Sequence, residues 1–198
     1  MRHGESVDDT LNCYGGAADF ELNNLGKKEA KEAALGFKEI TVDRIYSSPL
    51  KRAKQTAEEI DAIKSCGITV IEDLKERNSF GVLSGCNKEV CQKIYGYLLT
   101  KLSGKPGDYY SNELILGAEP YFDFDQRIKE AIISVIDDAV RSEYQVIVVV
   151  THGNVTRSIY QNILNFEKKI VLDHVAKTII DYHDGIFKLV SKEGVYEY

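Results

Sequence analysis

Two histidines in this chain each precede a glycine, in Arg2-His3-Gly4-Glu5 near the start and in Thr151-His152-Gly153-Asn154 late in the sequence. A glycine there lets backbone approach a ligand closely. A third segment, Ser47 to Ala57, carries Arg52 soon after Pro49, where a helix can begin. An arginine in a first helical turn opposes the helix dipole, and makes better sense folded over an anion. A fourth segment, Leu74-Lys75-Glu76-Arg77, offers a carboxyl group. Each has a bland reading alone: incidental loop histidines, a solvated basic helix start, a charged loop. Together they fit transfer of a phosphoryl group. A phosphomonoester carries close to two negative charges near neutrality. Arginines meet it with fixed forks of donors. A neutral imidazole can attack phosphorus. A carboxyl group held protonated can give the leaving alcohol its proton.

The elements that must position these groups follow from the patterning. Gln145–Thr151 is a β-branched run, as a strand covered on both faces requires. A helix is expected from about Asp125 to Glu143, with Ile128, Ala131, Ile132, Val135, Ile136 and Ala139 on its inner face. Another is expected from Asn154 to about Leu164. His152 and Gly153 then stand where a strand ends and a helix starts, the edge of an α/β sheet at which ligands collect and helix N–H groups attract anions. The first third repeats this logic: a helix over Leu25–Leu35, a strand over Arg44–Ser47, a helix over Leu50–Lys64 with Ala53, Ala57, Ile60 and Ile63 inward, and a strand over Ile68–Ile71. Thr178–Tyr182 and Ile186–Val190 flank His183-Asp184-Gly185 as a hairpin. Lys101–Pro120, with Gly104, Pro106, Gly107 and Gly117, reads as a long loop near the mouth of a site. No strand pattern precedes Arg2, yet a reactive histidine needs a rigid anchor. Either residues stand ahead of Met1, or His3 is held by another route.

Composition narrows the function classes. The 198 residues are 43% hydrophobic and 28% charged, with net charge -6, which is ordinary globular composition for one α/β domain. No basic stripe is offered to a nucleic acid. No run of 18 apolar residues points to a membrane span. Cys13, Cys66, Cys86 and Cys91 lack the paired spacing of a zinc site and read as free thiols of a reducing, cytoplasmic compartment. His174 and His183 read as surface or loop residues. Tyr109-Tyr110 and Tyr121-Phe122 either pack the irregular segment down or line a pocket for an apolar leaving group.

The chain resembles the histidine phosphatase superfamily, the phosphoglycerate-mutase-like proteins. The marks are Arg2-His3-Gly4-Glu5, the stretch Gly16…Asp19…Leu22…Gly26, Ser48…Leu50…Arg52-Ala53…Thr56-Ala57, Leu74…Glu76…Gly81…Gly85, and Thr151-His152-Gly153-Asn154. The resemblance implies a three-layer α/β sandwich, with a mostly parallel sheet and helices on both faces. It implies one domain over 1–198, with a helical or loop insertion at about 78–122 over the active site. It implies a phosphohistidine on His3, His152 as a second catalytic histidine, and Glu76 as proton donor and then base. Arg2, Arg52, His152 and Gly153 would hold the phosphate, Gly16 and Asn154 would face the rest of the substrate, and Arg77 either does the same or is a surface charge. The asparagine usual six residues after the first histidine is Asp9 here, so Asn12 is assigned that phosphate contact through a longer turn. No metal and no cofactor are implied. Leu74-Lys75-Glu76-Arg77, Gly85-Cys86-Asn87-Lys88 and His152-Gly153-Asn154 with Arg157 look like the mutase branch. Gly117-Ala118-Glu119 partly matches a Gly-Gly-Glu motif of phosphatases. The expected activity is hydrolysis of a small phosphorylated metabolite by a monomer or homodimer that binds neither nucleic acid nor membrane. Phosphoglycerate mutase activity and a catalytically inactive phosphate-binding scaffold are the alternatives.

Overall fold

The computed structural model describes residues 1–102 and 115–198. Tyr109-Tyr110 and much of the expected long loop lie outside the described residues. In chain order the elements are α1 (Val7–Thr10), α2 (Asn24–Leu35), β1 (Arg44–Ser47), α3 (Lys51–Lys64), β2 (Ile68–Val70), α4 (Lys88–Leu102), α5 (Tyr121–Arg141), β3 (Ile147–Val150), α6 (Gly153–Asn162), β4 (Ile170–His183) and β5 (Ile186–Glu197). Two single 3₁₀ turns, Glu72–Leu74 and Gly81–Leu83, lie between β2 and α4.

Strands β2, β1 and β3 form a parallel sheet in that order, with Tyr46 opposite Val149. Side chains alternate across it as strand periodicity demands. Ile45, Val148 and Val150 face a layer built from Ala34 of α2 and Ala53, Ala57 and Ile60 of α3. Tyr46, Ile147 and Val149 face Phe124, Ile128, Ala131 and Val135 of α5 and Val155 of α6. The architecture is therefore helix, sheet, helix. Small residues on α3 let it lie close to the sheet, which keeps its first turn beside the strand ends. Among the described residues, no helix is long and apolar enough to cross a membrane.

Three elements differ from the sequence expectation. Helix α5 starts at Tyr121, because buried Phe124 extends the apolar stripe one turn further back. Helix α4 occupies the start of the region read as loop. The hairpin strands β4 and β5 are far longer than the two short runs expected. Their register shifts between Leu172 and Lys177, and Val175 there has a positive φ of 51°. That bulge breaks the alternation that would have revealed the first half of β4.

The anchor for His3 comes from this same bulge. The N–H of Arg2 donates to Ala176 O (2.9 Å) and that of Val175 to His3 O (3.2 Å). On the other side, the His3 N–H donates to Thr151 O (3.0 Å) and the Thr151 N–H to Met1 O (2.9 Å). Three residues thus act as a strand between the end of β3 and the hairpin.

Beyond His3 the chain passes against the first turn of α2 at van der Waals limits. A Cβ on Gly26 would lie 1.9 Å from Glu5 O, and one on Gly4 would lie 2.5 Å from Gly26 O. Both neighbours are backbone, so a methyl group there must move the strand or the helix. Gly26→Ala is expected to destabilise the protein by about 3 kcal/mol, lowering the melting temperature by roughly 6–12 °C. Gly36→Ala is the control, since its methyl would meet Ala33 O at 3.3 Å. Calorimetry that gives the two variants equal melting temperatures would refute this account of Gly26.

Candidate active site

His3 enters the site on the short strand just described and is 5% exposed. Its Nδ1 lies 2.7 Å from Gly4 O, and only a protonated Nδ1 can donate to a carbonyl. That bond leaves the lone pair on Nε2. Arg52 Nε–H donates to this Nε2 at 3.2 Å. The Gly4 N–H in turn donates to Thr56 Oγ1 (3.2 Å), whose hydroxyl donates to Arg52 O (2.8 Å). Helix α3 therefore fixes both the arginine and the backbone beside the histidine.

Arg52 sits in the first turn of α3 and is 2% exposed. Its Nη1 donates to Ala18 O (2.8 Å) and its Nη2 to Gly16 O (3.0 Å). Gly16 has a φ of 51°, and a Cβ there would lie 2.8 Å from Ser84 Oγ, so the turn that presents its carbonyl requires glycine. The helix end is capped by Asp19, which accepts from the Lys51 N–H at 2.7 Å.

His152 caps α6 at the end of β3 and is fully buried. Its ring lies edge-on to that of His3, with centroids 5.0 Å apart. Its Nε2 is 2.6 Å from Ser48 Oγ, while its Nδ1 is buried with no hydrogen-bond partner among the described residues. Arg2 donates from Nη1 to Leu172 O (2.6 Å), and its buried Nε also lacks a partner. Glu76 meets the same corner. Its Oε1 accepts from the Arg77 N–H (2.8 Å) and its Oε2 from the Asn154 N–H in the first turn of α6 (3.2 Å). A Cβ on Gly153 would have Arg157 Nη1, Arg2 Nε and Glu76 Oε2 within 4.0 Å. Gly153 is thus the point over which two guanidinium groups and a carboxylate converge.

Burial holds the His3 imidazole well below the usual histidine range, and the charges of Arg52 and Arg2 push it further down. Burial does the same to His152, followed by Arg52 and His3. Both rings are neutral near pH 7, so His3 Nε2 carries an unprotonated lone pair, which here accepts from Arg52 Nε–H. Burial also disfavours the charges of Arg2 and Arg52, and Glu76 is the largest influence restoring each.

Arg2, His3, Arg52, Glu76, His152, Gly153 and Asn154 therefore come together, with Gly16 supplying a carbonyl to Arg52. Asn12 does not join them. It is exposed, with a φ of 53°, and its carbonyl accepts from the Lys88 N–H. It follows the Leu11 cap of α1, where a left-handed residue ends a helix and asparagine suits that role. Arg77 is not at the surface, and its buried Nη1 has no hydrogen-bond partner among the described residues. It is 1% exposed, donates from Nε and Nη2 to Glu119 O, and stacks 3.3 Å above the ring centroid of Tyr121. His174 is half-buried, with Glu5, Asp9 and Glu29 oxygens 3.7–3.9 Å away. Ser48 and Thr56 were missed as contributors, although both lay inside the Ser48…Thr56 block. Among the described residues, no group of three or more His, Cys, Asp or Glu side chains could hold a metal ion.

The family model of the histidine phosphatase superfamily (branch 1) matches residues 1–193. Phosphoglycerate mutase-like protein 4 of Arabidopsis thaliana is 31% identical over 174 residues, covering 86% of this chain and 72% of that protein. The alpha-ribazole phosphatase of Shigella flexneri superposes with a TM-score of 0.75 at 21% identity, covering 96% of this chain and 92% of the other. A phosphoglycerate mutase from Bacillus anthracis gives 0.75 at 23% identity, covering 96% and 89%. At those identities, the two structures establish a shared fold.

Proposed function

From the premise that this chain belongs to the histidine phosphatase superfamily, we propose that it is a phosphomonoester hydrolase working through a phosphohistidine on His3. The observation that carries this is the His3 Nε2 lone pair, set by the Gly4 carbonyl and lying against Arg52 Nε. Arg2 Nε and His152 Nδ1 add two buried polar atoms that an oxyanion would satisfy. Arginine forks beside a neutral nucleophile are what a dianionic tetrahedral group needs, and they favour the charge spread on its oxygens during transfer.

In the first step the His3 Nε2 lone pair forms a bond to phosphorus, while the bond from phosphorus to the leaving oxygen breaks. Glu76, as carboxylic acid, gives that oxygen its proton, and the alcohol departs. The Gly4 carbonyl accepts from Nδ1–H and stabilises the positive charge that grows on the ring. In the second step water attacks phosphorus, Glu76 as carboxylate takes its proton, the N–P bond breaks, and orthophosphate leaves. The Asn154 N–H donates to Glu76, and the Asn154 Oδ1 accepts from Arg157 Nη1 (3.2 Å).

The substrate is a small phosphorylated metabolite. The test is orthophosphate release across sugar, glycerate, nucleotide and amino-acid monophosphates. At least one should turn over about 10⁶-fold or more above the uncatalysed rate. Release from none of them would reduce the chain to a phosphate-binding scaffold. Interconversion of phosphoglycerates without net release would make it a mutase instead.

A further inference from the structure

Resting on the reading of Glu76 as the acid–base group, we propose that Arg127 is a positioning residue for that group, acting through the backbone on either side of it. Arg127 projects from the second turn of α5, and together with Glu119 it is largely buried, at 15% and 19% side-chain exposure. Its Nε and Nη2 fork onto the two carboxylate oxygens of Glu119, both at 2.8 Å. Its remaining Nη1 donates to two carbonyls, Asp73 O (2.5 Å) and Lys75 O (3.1 Å). Lys75 O belongs to the peptide unit that leads directly into Glu76. Fixing that carbonyl fixes the plane from which the acid side chain departs.

Glu119 completes the hold from the other side. Its Oε2 accepts from the Asn78 N–H at 3.2 Å, and its backbone carbonyl accepts from Nε and Nη2 of Arg77. Residues 73, 75, 77 and 78 are therefore all tied to one ion pair, and Glu76 is the residue in the middle. Leu74 O is tied separately, accepting from Thr151 Oγ1 (2.9 Å) next to His152. The acid is thus suspended between Thr151, which follows β3 and precedes the second histidine, and the pair formed by Arg127 of α5 with Glu119 just before that helix. Only a planar fork with five donors can meet a carboxylate and two carbonyls at once, so lysine cannot replace this arginine. Among the described residues, Glu76 receives two backbone N–H bonds, one of them from Arg77, so a shift of this segment is felt at once in the carboxyl position.

The experiment compares kcat/KM for β-glycerol phosphate, whose alkoxide must be protonated, with that for p-nitrophenyl phosphate, whose leaving group needs no acid. The ratio of the two is independent of how much of a variant is folded. Glu76→Gln should lower the ratio by about 100-fold, as expected for loss of a general acid. Arg127→Lys should lower it by about tenfold, a part of the roughly 100-fold that misplacing a catalytic group by an ångström can cost. The double variant should match Glu76→Gln alone, because an acid that is gone cannot be misplaced. A normal ratio in Arg127→Lys beside a lowered ratio in Glu76→Gln would overturn the positioning role and leave the acid assignment standing. Multiplied shifts in the double variant would overturn it as well. A normal ratio in Glu76→Gln would overturn the acid assignment, and the inference with it.

Discussion

His3→Ala is expected to fold, to form no phosphoenzyme, and to hydrolyse phosphomonoesters at about 10⁻⁴ of the normal rate or less, since no other group can take over the covalent step. The fold survives because the strand role of this residue belongs to its backbone. Its N–H and C=O bonds to Thr151 and Val175 do not involve the ring. What the alanine removes is the Nε2 acceptor facing Arg52 and the Nδ1 donor facing Gly4 O. Leaving the buried Arg52 N–H and Gly4 carbonyl without partners costs about 1–3 kcal/mol each, which a domain of this size tolerates. The check is a rapid quench with radiolabelled substrate into base, since the N–P bond of phosphohistidine breaks in acid. Wild-type protein should carry label at a stoichiometry approaching one, and the variant none. His152→Ala is the contrast: it keeps the nucleophile and should still label, only more slowly. Label on His3→Ala would mean that a different residue is the nucleophile.

How much of this site could be seen beforehand depended on how local its determinants are. His152 was legible because a β-branched strand, a glycine and a helix start are adjacent in sequence, and their order alone places it at the ligand edge. Arg52 was legible because a first-turn arginine conflicts with the helix dipole unless it meets an anion. Asn12 was misread because spacing from His3 says nothing about backbone conformation. That residue is used to end α1, and its left-handed turn leaves the side chain exposed. Arg77 was ambiguous because its partner carbonyl, Glu119 O, is 42 residues away and comes from the segment before α5. The pair of Arg127 and Glu119 was invisible for the same reason. Its value lies in carbonyls of residues 73 and 75, and backbone acceptors leave no mark in sequence. The anchoring of His3 was hidden by the bulge at Val175, which removes the alternation that would have announced a strand. Local chemistry was therefore readable, and the tertiary supports that aim it were not.

Arg52→Ala should lower kcat/KM by about 10³-fold and weaken competitive inhibition by inorganic phosphate, the size expected when one preorganised donor of an oxyanion site is lost. Arg52→Lys should recover only part of this, because one ammonium cannot replace donors to His3 Nε2, Gly16 O and Ala18 O at once. The two variants separate charge from shape through the pH profile. After burial, the Arg52 charge is the largest influence holding the His3 imidazole down. Removing it raises the His3 pKa, so the ring becomes protonated at a higher pH and its lone pair is lost there. The acid limb of kcat/KM should therefore move to higher pH in Arg52→Ala and stay near the wild-type position in Arg52→Lys. Weaker phosphate inhibition with an unmoved acid limb in Arg52→Ala would show that the guanidinium binds phosphate without being felt by His3. The electrostatic half of this account would then be wrong, and Arg52 would act on the ligand alone.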